Sequence, residues 1–563
     1  MARRGSAKNA SARFRRLLSH GFFAPELPPC FVSEDLARYR ATIWRDIETH
    51  GIAALDKLVT HTSWFNFPRF SRNDRRHGVI NPIAYMAIAK IVADKFVELR
   101  ATSRRRSRMS ASPLMFDWSG TRAILRSNID LLDDFRLDLA SRREMYVSAD
   151  LRAFYHSVYT HTIPWAIRGK AAAKADRFSS HYANRLDRYC RNAQDQQTIG
   201  LPVGPDTSRV IGELIASAVD ERLRLDTGIT SRDASRYVDD FTISSDNGLS
   251  GDALIAAARR AAAEFELELN HDKSAIVATS TYLVNGWKHV ARNHRPTPPY
   301  ALHDFKRFFY EVGRLVRELP ETNVEKWALQ NARVAFLGAS TNDWGSLQSH
   351  LVNAYRRNST LISLLVELLI ERHRDRGDVI VESVRDFLDH RIPALALEDR
   401  TGELIWLLFL MIALEIKIDA QRFERVFSLE EPMCALLLSA ADARGLIVGT
   451  VDRSLWNQSL TCDGLRGPMW LYAYELPRNG FIGNTSTTHI EQDPYFSILH
   501  ARSVNFLSLE DGLTSITGAM RTRRRADNLH RAWLRDEFTE DFDVEEWEIG
   551  GDDEETDDAD SDY

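Results

Sequence analysis

The chain predicts an α+β first half, an all-α second half and an acidic tail. Three observations predict this. The tetrapeptide Tyr237-Val238-Asp239-Asp240 sets two carboxylates between apolar residues and reads as a tight β-hairpin with the acids at its tip. From about residue 300 onward the apolar residues fall at helical spacing. From Asp536 to Tyr563 there are sixteen Asp or Glu and no Lys or Arg, a block that solvates rather than packs.

Along the chain the elements follow in order. Residues 1–32 open with six Arg or Lys in the first sixteen positions and no acid, and read as a flexible basic arm. Residues 33–60 read as helical. The stretch 67–77, Phe-Pro-Arg-Phe-Ser-Arg-Asn-Asp-Arg-Arg-His, is a basic segment that reads equally as a solvated loop. Arg104, Arg105, Arg106 and Arg108, flanked by Ser103 and Ser107, suggest a mobile loop that contacts phosphates without reading sequence. A unit spanning 144–299 holds the acidic hairpin, with an Ala-rich helix over 251–268. Within 300–535 the segments 303–318, 323–337, 345–371, 378–390, 402–417 and 421–444 predict helices, broken near Gly377, Pro393, Gly402 and Gly445. With no clean period, irregular HEAT-like helical-repeat packing is the expectation. Trp406 and Trp470 have apolar neighbours and read as core; Trp344 reads either way. Residues 536–563 form the acidic disordered tail.

Composition bounds the function. A chain of 563 residues is long enough for two or more domains, and 44% hydrophobic content supports packed cores. The net charge of −6 hides an asymmetry. Without the tail's 16 acids, 63 remain against 73 basic residues, so the body carries +10, as a polyanion-binding protein requires. The tail reads as a mask for a basic groove, or for Arg521 and Arg523–Arg525, or as a solubilising segment with no contact. Cys30, Cys190, Cys434 and Cys462 are scattered without a C-x-x-C, which argues against zinc and disulfides and for a reducing cytoplasm. The longest apolar run, Leu404 to Leu414, is eleven residues, too short for a bilayer, and no secretory signal is visible.

The chemistry rests on carboxylates. Two adjacent acids at a hairpin tip repel each other unless a cation neutralises them, and Mg²⁺ is the natural ion. Asp150 lies 89 residues before Asp239, at the end of a strand-like Tyr146-Val147-Ser148-Ala149. A strand-end aspartate facing a hairpin pair supplies the oxygens for two ions about 3.5–4 Å apart, which activate a hydroxyl and stabilise a leaving pyrophosphate. Alone, Asp150 reads equally as a helix N-cap. The loop Gly200-Leu201-Pro202-Val203-Gly204-Pro205-Asp206-Thr207-Ser208 is rigid, its last three residues are N-cap candidates, and its amides suit a phosphate or a base. Lys273, in Asn270-His271-Asp272-Lys273-Ser274, is a proton donor for pyrophosphate or an ordinary surface lysine.

In this order and spacing the segments resemble the fingers and palm of reverse transcriptases over roughly residues 60–290, about two-fifths of the chain. The resemblance implies a fingers region over 33–143 and a palm over 144–299. It implies Asp150, Asp239, Asp240 and Lys273 as catalytic residues, with two Mg²⁺ ions held by Asp150, Leu151, Asp239 and Asp240. It implies nucleotide binding by Arg69, Arg72, Arg75, Arg76, Phe154, Tyr155, Gly204, Pro205 and Ser208, with Tyr155 as the aromatic gate against a 2′-hydroxyl. Phe154-Tyr155-His156-Ser157-Val158-Tyr159-Thr160-His161, Ile163-Pro164-Trp165-Ala166 and the wording of the Gly200–Ser208 loop resemble bacterial abortive-infection and defence-associated reverse transcriptases. That resemblance implies a cytoplasmic bacterial anti-phage enzyme using dNTPs and an RNA template or a non-coding RNA. It also implies DNA synthesis primed on the protein, leaving nascent DNA attached to it, or running without a conventional template, and a helical region in place of a thumb.

Two rivals remain: a template-independent DNA polymerase, and a non-catalytic sensor of nucleic acid or phage components built on a polymerase fold. An intact aspartate triad disfavours the sensor. Arg525-Ala-Asp-Asn-Leu-His530 fits the R-x4-H spacing of HEPN ribonucleases, within an arginine cluster where such spacing arises by chance. The oligomeric state, a homo-oligomer included, is open.

Overall fold

The computed structural model describes residues 2–510 apart from 71, 127–129, 178–179, 245–247, 282–285 and 484. The acidic tail, Arg521, Arg523–Arg525 and His530 lie outside the described residues.

The chain begins with a helix, α1 (Ala2–His20). The expected flexible arm over 1–32 is corrected here. Phe14, Leu17, Leu18, Phe22 and Phe23 are buried against the rest of the protein, and these apolar residues outweigh the basic ones beside them. The basic stretch 67–77 is not a loop. It belongs to a two-stranded antiparallel hairpin, β1 (Ser63–Arg69) and β2 (Arg72–Val79). Helix α2 (Pro82–Arg106) follows, N-capped by Asn81, with proline at its first position, where a missing N–H costs nothing. Arg104, Arg105 and Arg106 form its last turn, so the expected mobile loop over 101–108 is corrected to a helix end, where cations meet the negative end of the dipole.

The central sheet has four antiparallel strands in the order β4-β5-β3-β6: β3 (Met145–Asp150), β4 (Ala234–Tyr237), β5 (Asp240–Ser244) and β6 (Ala275–Ala278). Val147 and Ala149 of β3 point into the core and alternate with less buried neighbours. Between β3 and β4 runs α3 (Asp206–Thr227), buried along most of its length. After β5, α4 (Gly251–Ala263) packs on β3 and on α3 through Leu254, Ala257, Ala258 and Ala261.

Beyond residue 300 the described chain is mainly helical, with a two-residue parallel pairing of Ile418–Asp419 with Ile447–Val448 and a bridge from Leu507 to Phe31. Successive inner helices lie against one another: α5 (Ile362–Arg376) on α6 (Thr401–Ala413), α6 on α7 (Pro432–Ala443), and α7 on α8 (Trp470–Arg478). The eleven-residue apolar run is α6, apolar all round because it is enclosed on all sides. Three expected helices are split: Ala332 divides 323–337, a break at Asn358 divides 345–371, and residues 428–431 divide 421–444. Pro393, expected as a break, lies inside the helix Val381–Leu397. Trp344, Trp406 and Trp470 are all core. Among the described residues no helix is long and apolar enough to cross a membrane.

Candidate active site

The sheet assembles the site. Asp150 ends β3, and the antiparallel register sets it opposite Asp240, the first residue of β5. Opposed residues in such a pair have Cβ atoms about 4.5–5.5 Å apart, so the two carboxylates are neighbours. Asp239 lies in the two-residue turn between β4 and β5, and its carbonyl accepts the Leu151 N–H at 3.1 Å. Asn270 clamps Asp150 from the other side: its backbone N–H donates to the Asp150 carbonyl at 2.7 Å and its side-chain amide to Oδ1 at 3.3 Å. The Lys273 ammonium pairs with Oδ2 of Asp150.

The acidic turn is held from behind. Val238 sits at φ 57°, the left-handed region that two-residue hairpins favour and β-branched residues resist, at a cost on the order of 1–3 kcal/mol. Ser112 Oγ accepts the Val238 N–H at 3.0 Å, and the Arg236 guanidinium donates to the Val238 carbonyl at 2.7 Å. Arg236 is wholly buried and bridges Glu213 at 2.8 Å and Asp220 at 2.9 Å, while Ser107 donates to Asp220 at 2.6 Å. Sequence reading missed Arg236, Asp220, Ser112 and Asn270. A charged residue two positions before Val238, in a strand that must be buried, is the one local signal.

These acids face an open cleft of about 1250 Å³. Burial and the neighbouring Asp150 push the Asp239 carboxyl above its ordinary range. Burial, then Asp239, pushes Asp240 up to about 7. The same cleft is lined by arginines: Arg69 from β1, Arg75 and Arg76 from β2, and Arg126 and Arg209, which sequence reading did not single out. Arg76 lies over the Trp64 ring at 4.3 Å.

The cleft gathers nearly every candidate residue. Asp150, Leu151, Asp239, Asp240 and Lys273 line it, as do Arg69, Arg75 and Arg76. Phe154, Tyr155, Gly204, Pro205 and Ser208 complete it. The side chain of Arg72 lies outside the described residues. Arg104, Arg105, Arg106 and Arg108 are not in the cleft; Arg106 pairs with Glu221 at 3.1 Å, and Arg104 and Arg108 border a second cavity of about 350 Å³.

Asp206 is no N-cap, which corrects that expectation. The capping position is Pro205, and the Asp206 carboxylate instead accepts from Arg122 at 2.7 Å and from the amides of Ala123 and Ile124 at 2.9 and 3.0 Å. Gly204, at φ 126°, has no room for a side chain: a Cβ there would stand 2.7 Å from that of Ala24.

Among the described residues no three His, Cys, Asp or Glu side chains converge closely enough to cage an ion alone. The donor set still fits Mg²⁺, which takes one or two carboxylates and fills its remaining positions with water and substrate phosphate. Two acids pushed above their ordinary range by burial and by neighbouring carboxylates, Asp150 beside Asp239 and Asp239 beside Asp240, are sites that a cation relieves.

Residues 76–339 match the family model for reverse transcriptase (RNA-dependent DNA polymerase). That region is similar to reverse transcriptases, and the activity this implies is the one proposed below. Among solved structures the chain is similar to telomerase from Candida albicans in complex with a TWJ fragment of telomeric RNA, at 10% identity and a TM-score of 0.27. That match covers 60% of this chain and spans 65% of the telomerase chain. No curated protein sequence matches.

Proposed function

We propose that the chain synthesises DNA from dNTPs on an RNA template. One observation carries this reading: Asp150, Asp239 and Asp240 line one cleft together with Arg75 and Arg76. Acids beside a basic wall suit a triphosphate, with phosphate oxygens toward the arginines and the reacting phosphorus toward the aspartates. Asp150, Asp239 and Asp240, with Leu151 beside them, would hold Mg²⁺, which would help activate the attacking hydroxyl and offset charge on the leaving pyrophosphate. Arg69, Arg75 and Arg76 bind the triphosphate tail. Tyr155, whose ring leaves no space above Gly212, crowds the sugar. The Gly200–Ser208 loop supports the base, and Lys273 holds Asp150 and donates a proton toward pyrophosphate. The test is incorporation of labelled dNTPs on a primed RNA template, with the Asp239→Ala, Asp240→Ala double variant as control. Equal incorporation by both proteins would sink the reading.

A second reading has an observation of its own. The helical half reaches the cleft, where Pro468 is part of the wall. A cleft walled there favours synthesis that starts on a protein hydroxyl or runs without a template. Label that survives hot SDS and is released by protease distinguishes it. Bacterial anti-phage defence and HEAT-like packing of the helical half belong to the same proposal. The defence role rests on the wording of the motifs, and its test is phage plaque formation on cells carrying the wild type or the double variant.

A further inference from the structure

A two-stranded hairpin is marginal alone in water. The β1–β2 hairpin nevertheless carries Arg69, Arg75 and Arg76, which have to be held still to grip a triphosphate. Its supports come from two sides. On the cleft side Gly78 donates its N–H to the Val203 carbonyl at 3.0 Å. On the other side the support is the start of α6, more than 300 residues away in sequence.

That contact is close and specific. The Asn66 N–H donates to Thr401 Oγ1 at 2.9 Å. The Asn66 side-chain amide donates to the Asp399 carbonyl at 3.1 Å and to its carboxylate at 2.9 Å. Gly402 lies directly on the strand: a Cβ there would stand 2.6 Å from the Asn66 carbonyl oxygen and 2.9 Å from the Phe67 ring. Arg400 approaches Asp74 of β2 at 3.6 Å. The register makes these contacts matter, because Asn66 pairs across the hairpin with Arg76, and Phe67 with Arg75. The two residues seated on α6 are the cross-strand partners of two of the arginines that line the cleft with the aspartates.

We propose that the start of α6 is the positioning element for the incoming nucleotide. Asp399, Thr401 and Gly402 seat β1 so that Arg75 and Arg76 present a fixed pair of guanidinium groups to the triphosphate. This rests on the polymerase reading for its substrate, and on the register for its geometry. Asp399, Thr401 and Gly402 are positioning residues and touch no reacting atom.

The test uses the full chain with Gly402→Ala, which pushes the hairpin away, and Thr401→Val, which removes the Asn66 acceptor at constant size. Three quantities are measured: hydrogen exchange over residues 63–79, equilibrium binding of a fluorescent dNTP, and steady-state incorporation. The expected result is faster exchange in the hairpin, with dNTP affinity weakened and KM raised about tenfold while kcat changes less than about threefold. A structural role alone would lower the active fraction, hence kcat, and leave KM in place. Faster exchange with unchanged dNTP affinity overturns the proposal, as does unchanged exchange in both variants. If the wild type binds dNTP through this seat but incorporates none, the polymerase reading falls and the seat stands.

Discussion

Asp240→Asn should stabilise the metal-free protein, and only above the acid range. An unfolded aspartate titrates near 3.9, whereas burial and Asp239 push the Asp240 carboxyl up to about 7 in the native cleft. The folded state therefore holds a proton that the unfolded state has released. Between these two pH values native stability falls as pH rises, and above about 7 the loss is complete. About three pH units at 1.36 kcal/mol each gives a cost near 4 kcal/mol, an upper bound because Asp239 shares the titration and the cleft admits water. Asparagine keeps the shape and removes the charge. In EDTA at pH 8 the variant should exceed the wild type by about 2–4 kcal/mol, and at pH 4 the two should agree within about 0.5 kcal/mol. Glu431 and Glu475, also pushed up to about 7 by burial, titrate in both proteins, so the difference between them isolates Asp240. Urea unfolding followed by tryptophan fluorescence measures it, and Mg²⁺ at pH 8 should close the gap by stabilising the wild type. A variant less stable than the wild type at pH 8, or a gap that does not change with pH, refutes the reasoning.

Three further outcomes follow from the same geometry. Tyr155→Ala should admit ribonucleotides, raising rNTP use relative to dNTP in single-nucleotide incorporation; unchanged discrimination would remove Tyr155 from the gate. Arg236→Met should lower stability by about 3–5 kcal/mol, because it leaves Glu213 and Asp220 buried without their cation, and the loss reads directly in the urea midpoint. Asp206→Ala should cost a similar amount, about 3–5 kcal/mol, since it strands the Arg122 guanidinium and two backbone amides in one step.

The candidate site was legible where its chemistry is local in sequence. Asp239 and Asp240 are adjacent and Asp150 follows a strand pattern, so each was legible at a strand end or turn, and the resemblance brought the three together. Helices after residue 300 were legible because each buries an apolar stripe that its own sequence displays. Supports made by distant partners were not. Nothing within ten residues of Arg236 reveals that Glu213 and Asp220 will neutralise it, or that its remaining donor will hold the Val238 carbonyl. The basic arm misled for a related reason: Arg16 reads as solvated, yet it donates to the carbonyls of Asp117 and Arg122, while Phe14 and Leu17 on the same helix are buried.

The hidden supports share one pattern, in which each cleft loop is held by a segment remote in sequence. The acidic turn leans on Ser112, remote in sequence, and on Arg236, which is itself held by Glu213 and Asp220 of α3. The nucleotide loop leans on the N-terminal segment: Asp206 donates its N–H to the Gly21 carbonyl at 2.8 Å, and Arg122 ties the Phe23 carbonyl at 2.5 Å to Gly204 at 2.7 Å. The arginine hairpin leans on α6. In the proposed reaction, three segments from three parts of the chain must hold their mutual spacing while triphosphate and cations come and go. Loops are the mobile part of most folds. Here each is joined by buried or close-packed contacts to a helix or a strand, so the spacing of acids to arginines is set by the core. The N-terminal and C-terminal helices therefore belong to the site as much as the residues that face the cleft.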